Sequence, residues 1–240
     1  MRNITKLLES RIELSDSEIH IFLLQLDLFD CSQLITYLSE DEVVRAEQLK
    51  VEEKKKQFII VRGVCRKLLS HALNIDAKEI KIYYGEHKKP YIEEKYNNKS
   101  VEFNISHSGN YALVALTLYN KVGVDIEKIN HKIDYQSLSK RFFSEKENEE
   151  LLCLTNDEQL DAFYRAWTRK ESFIKATGKG IAFGLDRFSV SLEDNIKCQV
   201  DIDSSKLINE QWYCYNVMNV ENYKMALASC KNNIDIIIHQ

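Results

Sequence analysis

LSEDEVVRAEQL (Leu38–Leu49) and FSEKENEELLCL (Phe143–Leu154) set Ser39 against Ser144, an offset of 105 residues. The same offset sets Phe58 against Phe163, Arg62 against Trp167 and Leu69 against Ile174. Further on, NYALVALTL (Asn110–Leu118) matches NYKMALASC (Asn222–Cys230) at an offset of 112, so a few residues are inserted between the two matches. Two amphipathic helices that look alike by chance would explain the first match alone. A nearly constant offset across separate segments instead points to an internal repeat. It predicts two α+β halves of similar topology, whose interface is a natural place for a site. The division falls at residues 1–119 and 120–240.

Hydrophobic periodicity fills in the elements. Glu18–Asp27 reads as a strand, and helical sequence runs from about Asp41 to Leu73. Short strands are expected at Ile80–Tyr84, Val101–Ile105, Tyr111–Leu118 and Lys121–Lys128. Helices follow near Tyr135–Lys140, Glu145–Leu154 and Glu158–Thr177, and the tail is a meander of strands ending at Ile234–His239. Pro90 and the pair Asn97–Asn98 mark a loop.

A chain of 240 residues with 44% hydrophobic and 29% charged content has ample material for a core and is not disordered. A net charge of −4 argues against a general nucleic-acid binder. Basic residues nevertheless cluster at Arg45, Lys50, Lys54–Lys56, Arg62, Arg66 and Lys67. That stretch is either a solvated helix face or an anion-binding surface. The six cysteines form no C-x-x-C pair, and neither a signal-peptide pattern nor a membrane span is evident. The expectation is a cytoplasmic protein with reduced thiols and no nucleic-acid or membrane partner.

Three stretches carry chemistry. In VGVDIEK (Val122–Lys128), Asp125 and Glu127 stand two apart on a strand and project from one face, while Val124 and Ile126 face the core. Adjacent anions repel unless a cation or proton intervenes. In FYRAWTRKESFIKATGKG (Phe163–Gly180), Trp167, Glu171 and Lys175 recur every fourth residue and form a helical stripe that Phe163 extends. Taken alone, Glu171 and Lys175 are also an ordinary stabilising pair. In FNISHSGN (Phe103–Asn110), a strand end turns into a polar loop in which Ser106, His107 and Ser108 offer donors to a phosphate. HKKPY (His87–Tyr91) adds lysines ahead of a proline-fixed turn.

Together these stretches resemble the 4′-phosphopantetheinyl transferases of the surfactin-synthetase-activating type. V-G-[VI]-D-[VI]-E and W-[ST]-x-K-E-[SA]-x-x-K occur in order, and the likeness runs from about Ser39 to Val190. The resemblance implies an α+β pseudo-dimer of two similar α/β subdomains, each a small antiparallel sheet packed with helices. It implies transfer of the phosphopantetheine arm of coenzyme A to a serine of an apo acyl or peptidyl carrier protein. Adenosine 3′,5′-bisphosphate would be released, and carriers of non-ribosomal peptide, polyketide or fatty-acid synthesis are the substrates such enzymes serve.

By motif position, Asp125, Glu127 and Glu171 match the family's Mg²⁺ ligands, with Mn²⁺ as a substitute. A hard cation with about six oxygen ligands suits carboxylates and phosphate oxygens. Lys175 matches a lysine for the diphosphate; Ser106, His107 and Lys89 match contacts to the coenzyme's 3′-phosphate, and Arg45 a further basic position there. Glu171, or a metal-held water that it orients, would take the serine proton. Two departures stand out: Lys88 replaces the family's glycine before Lys89-Pro90, where a different turn is expected, and Gln57 replaces an arginine. A monomer is expected, because one chain carries both halves. Another metal-dependent phosphoryl or nucleotidyl transferase, or a non-catalytic binder of coenzyme A or carrier, would share several of these features.

Overall fold

The computed structural model describes residues 8–9, 12–202 and 210–240. The first half begins with β1 (Glu18–Gln25), a one-turn helix α1 (Cys31–Leu34), α2 (Glu40–Glu47) and the long α3 (Glu52–Leu73). A hairpin of β2 (Ile82–Tyr84) and β3 (Pro90–Ile92) leads to β4 (Val101–Ser108) and β5 (Tyr111–Leu118). The second half comprises β6 (Val122–Lys128), α4 (Tyr135–Phe142), α5 (Glu145–Cys153) and α6 (Asn156–Thr177). It continues through the short β7 (Phe188–Ser189), β8 (Lys197–Gln199) and β9 (Asp201–Ile202), then β10 (Tyr213–Asn216), β11 (Tyr223–Ser229) and β12 (Asp235–His239). Pro90 corrects one expectation. It does not lie in a loop but opens β3, paired with Tyr84 at the end of a two-stranded ladder, an edge position that tolerates a residue without an N–H.

The two main sheets run β12-β1-β5-β4 and β6-β11-β10-β8. The shared unit is β1-β5-β4 in one and β6-β11-β10 in the other, antiparallel throughout. The exception to the antiparallel expectation is β12, which returns from the end of the chain to pair in parallel with β1.

The repeat extends to details of sequence. α3 and α6 each span 22 residues, and they end at the left-handed caps Asn74 (φ 59°) and Gly178 (φ 68°), the C-terminal device that only a few residue types adopt cheaply. In both halves a serine heads the preceding short helix, and a glutamate three residues later accepts its backbone N–H: Glu42 for Ser39 (3.4 Å) and Glu147 for Ser144 (2.8 Å). Each glutamate also meets a buried cation of the long helix, Arg66 in the first half and Lys170, at 2.7 Å, in the second. Arg66 is therefore withdrawn from any anion-binding surface, against the expectation from the basic stretch. Its guanidinium is buried and also donates to the carbonyls of Ala77 and Ile80.

One core lies between the first sheet and α3, including Phe22, Leu24, Leu68 and Val114. A second lies around α6, including Phe163, Phe173, Phe188 and Trp212. A third, with Ile19, Ile21, Val124, Ile126 and Leu227, joins the opposite faces of the two sheets. The halves also meet edge to edge, at β4 and β6. There the backbone N–H groups of Val124, Ile126 and Lys128 donate to the side chains of Asn104 (3.0 Å), Ser106 (3.4 Å) and Ser108 (3.0 Å). Side chains thus satisfy an edge that would otherwise expose unpaired donors.

Candidate active site

Alternation on β6 turns Asp125 and Glu127 toward α6, away from the joint core that holds Val124 and Ile126. The approach is unusually close, and Gly123 is the reason. A Cβ at that position would stand 2.1 Å from the Ser172 carbonyl oxygen and 2.4 Å from the Ala176 nitrogen, inside any allowed contact. Lacking a side chain there, the strand lies against the helix turn that carries Glu171 and Lys175.

α6 is fixed on its other side by two neighbouring cations that motif reading did not single out. Arg169 donates to the carbonyls of Ser191 (2.6 Å), Glu193 (2.9 Å) and Asn195 (2.8 Å) and to Asn216 Oδ1 (2.9 Å). Lys170 donates to the carbonyls of Leu185 (2.8 Å) and Phe188 (2.6 Å) besides pairing with Glu147. Both are fully buried. The segment Arg169-Lys170-Glu171 thus divides its work: two residues anchor the helix and the third faces β6.

The carboxylates are brought together with Lys175 and the β4 serines. Lys175 Nζ lies 2.6 Å from Asp125 Oδ1 and 2.9 Å from Ser106 Oγ, while Ser106 donates to the same Asp125 oxygen at 2.9 Å. Ser108 donates to Glu127 Oε2 at 2.9 Å. Lys175 therefore reaches across to Asp125, and the ordinary helical pair with Glu171 is not what holds it. Burial first, and the Asp125 charge next, push the Glu171 carboxyl up to about 7. The same two causes, in the same order, raise Glu127.

Among the described residues, no group of three or more His, Cys, Asp or Glu side chains is gathered tightly enough to hold a metal ion as the side chains stand. The donor set nonetheless fits a hard divalent cation. Asp125 is only 3% exposed, and its Oδ2 is buried without a hydrogen-bond partner. A buried carboxylate oxygen left in that state is costly unless something positive meets it. Glu127 and Glu171 are raised first by burial and then by Asp125's charge, the latter being the behaviour of carboxylates sharing one site. All three offer oxygen donors of the kind Mg²⁺ prefers.

A cleft of about 510 Å³ opens beside this cluster, lined by Glu171, Lys175 and Gly178 of the second half and Lys88, Lys89 and Asn104 of the first. The remaining predicted residues distribute around it unequally. His107, on the face of β4 opposite the serines, is exposed; partial desolvation of its ring, and then the charges of Lys54, Lys175 and Arg62, hold its pKa below the usual value. Ser106 is buried, and its hydroxyl is engaged by Asp125, Lys175 and the Ile126 N–H. It therefore belongs to the carboxylate cluster as the side chains stand. Lys89 donates to the Ala176 carbonyl at 2.8 Å and stands 3.8 Å from Glu102; burial lowers its pKa. Arg45 is exposed, its guanidinium 5.3 Å above the Phe58 ring. Gln57 is buried and donates to the Gly109 carbonyl at 3.2 Å, holding α3 against the β4–β5 turn.

Lys88, where the family has glycine, adopts the left-handed region. Lys88 has φ 63°, its N–H donates to the Gly85 carbonyl at 2.9 Å, and the Gly85 N–H donates to the Lys89 carbonyl at 3.0 Å. A tight turn followed by a left-handed residue is the hairpin form in which glycine is the default.

Asn104 and Arg169 were passed over by motif reading, and Gly123 and Lys170, though letters of the two motifs, were given no role; Ser108, expected to offer a donor to a phosphate, instead donates to Glu127. The signal for Asn104 is the alternation Asn104-x-Ser106-x-Ser108, which places three short polar side chains on one strand face.

Comparison with known proteins places the chain in a family. Residues 29–118 match the 4′-phosphopantetheinyl transferase N-terminal family, and residues 121–228 match the 4′-phosphopantetheinyl transferase superfamily. The 4′-phosphopantetheinyl transferase HetI of Nostoc is 34% identical over 173 residues, covering 71% of this chain and 73% of the relative. The 4′-phosphopantetheinyl transferase Sfp of Bacillus subtilis is 30% identical over 197 residues, covering 82% of this chain and 84% of the relative. With relatives of that identity matched over most of their length, and two family matches falling in succession on its two halves, this chain belongs to the 4′-phosphopantetheinyl transferase superfamily.

Proposed function

We propose that this enzyme transfers the 4′-phosphopantetheine arm of coenzyme A to a serine hydroxyl of an apo acyl or peptidyl carrier protein, releasing adenosine 3′,5′-bisphosphate. The observation that carries the reading is the convergence of Asp125, Glu127, Glu171 and Lys175 beside a cleft between the halves, with one Asp125 oxygen buried and unpartnered. The family membership supplies the substrate class.

In this reading Asp125, Glu127 and Glu171 hold Mg²⁺. Bound there, the cation would offset the charge of the coenzyme diphosphate and of the departing bisphosphate. The protein's own residues do the rest. Lys175, now on Asp125, holds a diphosphate oxygen when substrate enters, since its flexible stem leaves the ammonium free to exchange partners. In the metal-free chain burial, and then its acidic neighbours, push the Glu171 carboxyl up to about 7, and a bound cation would relieve that conflict and favour the ionised, proton-accepting form of Glu171. It accepts the proton of the carrier serine as the serine oxygen attacks the β-phosphorus and the bond to the leaving bisphosphate breaks. His107, among Lys54, Arg62 and Lys175, contributes to binding the coenzyme's 3′-phosphate.

Two further points belong to the proposal. Both halves of the cleft come from one chain, which supports action as a monomer. No helix among the described residues is long and apolar enough to cross a membrane, and all six cysteines are free, which supports a cytoplasmic location. Incubation with coenzyme A, Mg²⁺ and an apo carrier, followed by mass spectrometry of the carrier, tests the activity. The expected result is a gain of one phosphopantetheine per carrier. An unmodified carrier together with retained binding of coenzyme A would instead identify a non-catalytic binder.

A further inference from the structure

The β2–β3 turn contains a contradiction between conformation and residue type. Lys88 occupies a left-handed position with φ 63°, where its Cβ is disfavoured and glycine is the default. Strained residues persist where the surroundings or the function require them. The backbone bonds of the turn do not require lysine, for both are made by main-chain atoms. Nor is the side chain spent on packing, because Lys88 is exposed and, among the described residues, no carboxylate pairs with it.

Its neighbour is in the opposite state. Lys89 has given its ammonium to the Ala176 carbonyl and to Glu102, so its charge serves to fasten the hairpin to the C-terminal end of α6. The Lys89 stem also packs on Gly178, and His87 packs on Gly180. The loop is thereby held rigidly against the second half. Lys88 lines the same cleft as Glu171 and Lys175 and is the lysine of this pair whose charge is uncommitted.

We infer that Lys88 is a binding residue of the cleft: its ammonium contacts a phosphate of the substrate, and the strained turn is retained to deliver that charge. This rests on the reading of coenzyme A as substrate. Lys88 does not touch the reacting carboxylates, so its effect belongs to affinity and not to the chemical step.

The test separates strain from charge with two variants of the full chain, Lys88→Gly and Lys88→Ala. Coenzyme A and 3′-dephospho-coenzyme A are titrated calorimetrically into each at low and moderate salt, and thermal unfolding is recorded without ligand. We expect Lys88→Gly to unfold at a higher temperature yet to bind coenzyme A roughly 3- to 10-fold more weakly, a loss that shrinks as salt screens the contact. Lys88→Ala should show the same loss of affinity with no gain in thermal stability. Should both variants bind 3′-dephospho-coenzyme A as wild type does, the contact is to the 3′-phosphate; an equal loss with both ligands places it on the diphosphate. Unchanged affinity of both variants for coenzyme A would overturn the assignment and leave Lys88 a tolerated replacement. A wild-type chain that binds no coenzyme A would overturn the functional reading itself, and this inference with it.

Discussion

Replacing Gly123 by alanine adds one methyl group at the point where β6 and α6 are closest. That methyl would stand 2.1 Å from the Ser172 carbonyl oxygen and 2.4 Å from the Ala176 nitrogen, both backbone atoms with no rotamer to escape into. Ordinary contact begins near 3.4 Å, so strand and helix must separate by roughly 1 Å. Overpacking of a well-packed core typically costs about 1–3 kcal/mol, and an obstacle made of backbone belongs at or above the upper end. The functional consequence is larger. Asp125 and Glu127 ride on the strand and Glu171 and Lys175 on the helix, so the separation opens the cluster itself. A misplacement of about 1 Å can cost about 10²-fold in rate. Urea unfolding and the initial rate of carrier modification measure the two effects, with Gly85→Ala as the control. A Cβ at Gly85 would meet only the Lys89 carbonyl oxygen at 3.7 Å, so that variant should stay within about 0.5 kcal/mol of wild type. A Gly123→Ala protein with unchanged stability and unchanged transfer would refute the claim that close approach builds the site.

Other consequences follow from the same geometry. Asp125→Ala or Glu171→Ala should lower transfer by more than about 10³-fold with far-ultraviolet circular dichroism unchanged, and near-wild-type transfer in Mg²⁺ would remove these residues from the metal site. The pH dependence has a definite sign. The Glu171 carboxyl lies at about 7 in the folded chain against 4.5 as the ordinary value, so the folded state holds this proton more tightly. The contribution is fully present below pH 4.5 and is lost as pH rises through 7, at most about 3 kcal/mol from this residue. Metal-free protein should therefore lose stability to urea between pH 5 and 8, and Glu171→Gln should flatten that slope; parallel profiles would contradict the assignment. Lys170→Met leaves Glu147 buried and unpaired and should cost about 3–5 kcal/mol, whereas adding Glu147→Gln should recover part of the loss. Additive losses in the double variant would show that the pair is not coupled.

Much of the fold was legible because the repeat is written in residues that repetition alone explains. The offset linking Ser39 to Ser144 carries the N-terminal caps, and it carries the glutamates three positions later to the same buried role. Position-specific events were harder to read. Pro90 signals a break on propensity, yet an edge strand accepts it. The parallel return of β12 depends on a contact between the two ends of the chain, for which local periodicity holds no information. Arg66 looks like one more cation in a basic stretch, and only the tertiary fold shows that Glu42, Ala77 and Ile80 enclose it. In the site, the carboxylates could be found by spacing, because strand and helix periods are regular. Ser106 and Lys89 could not be placed by spacing, since their present partners, Asp125 and Ala176, come from the other half.

The pairing registers carry the comparison of the halves one step further. Ala226 of β11 corresponds to Val114 of β5 at the offset of 112, and these face Asp125 and Phe22 respectively. By the same register, Glu127 corresponds to Leu24. In the first half, then, the positions that face the long helix are Phe22 and Leu24, fully buried in the core against α3. In the second half the same two positions are carboxylates. Burying a large apolar side chain contributes about 1.5–3 kcal/mol, so the second half forgoes that packing in order to place anions under α6. The surrounding structure compensates with specific polar devices: Gly123 to bring the strand close, Ser106 and Ser108 to bond the carboxylates, and Arg169 and Lys170 to fix the helix from behind. The first half keeps the buried glutamate–cation pair but has no such strand chemistry. The active site is accordingly a rebuilt core position of one repeat, and its partner repeat shows what that position does when no chemistry is asked of it.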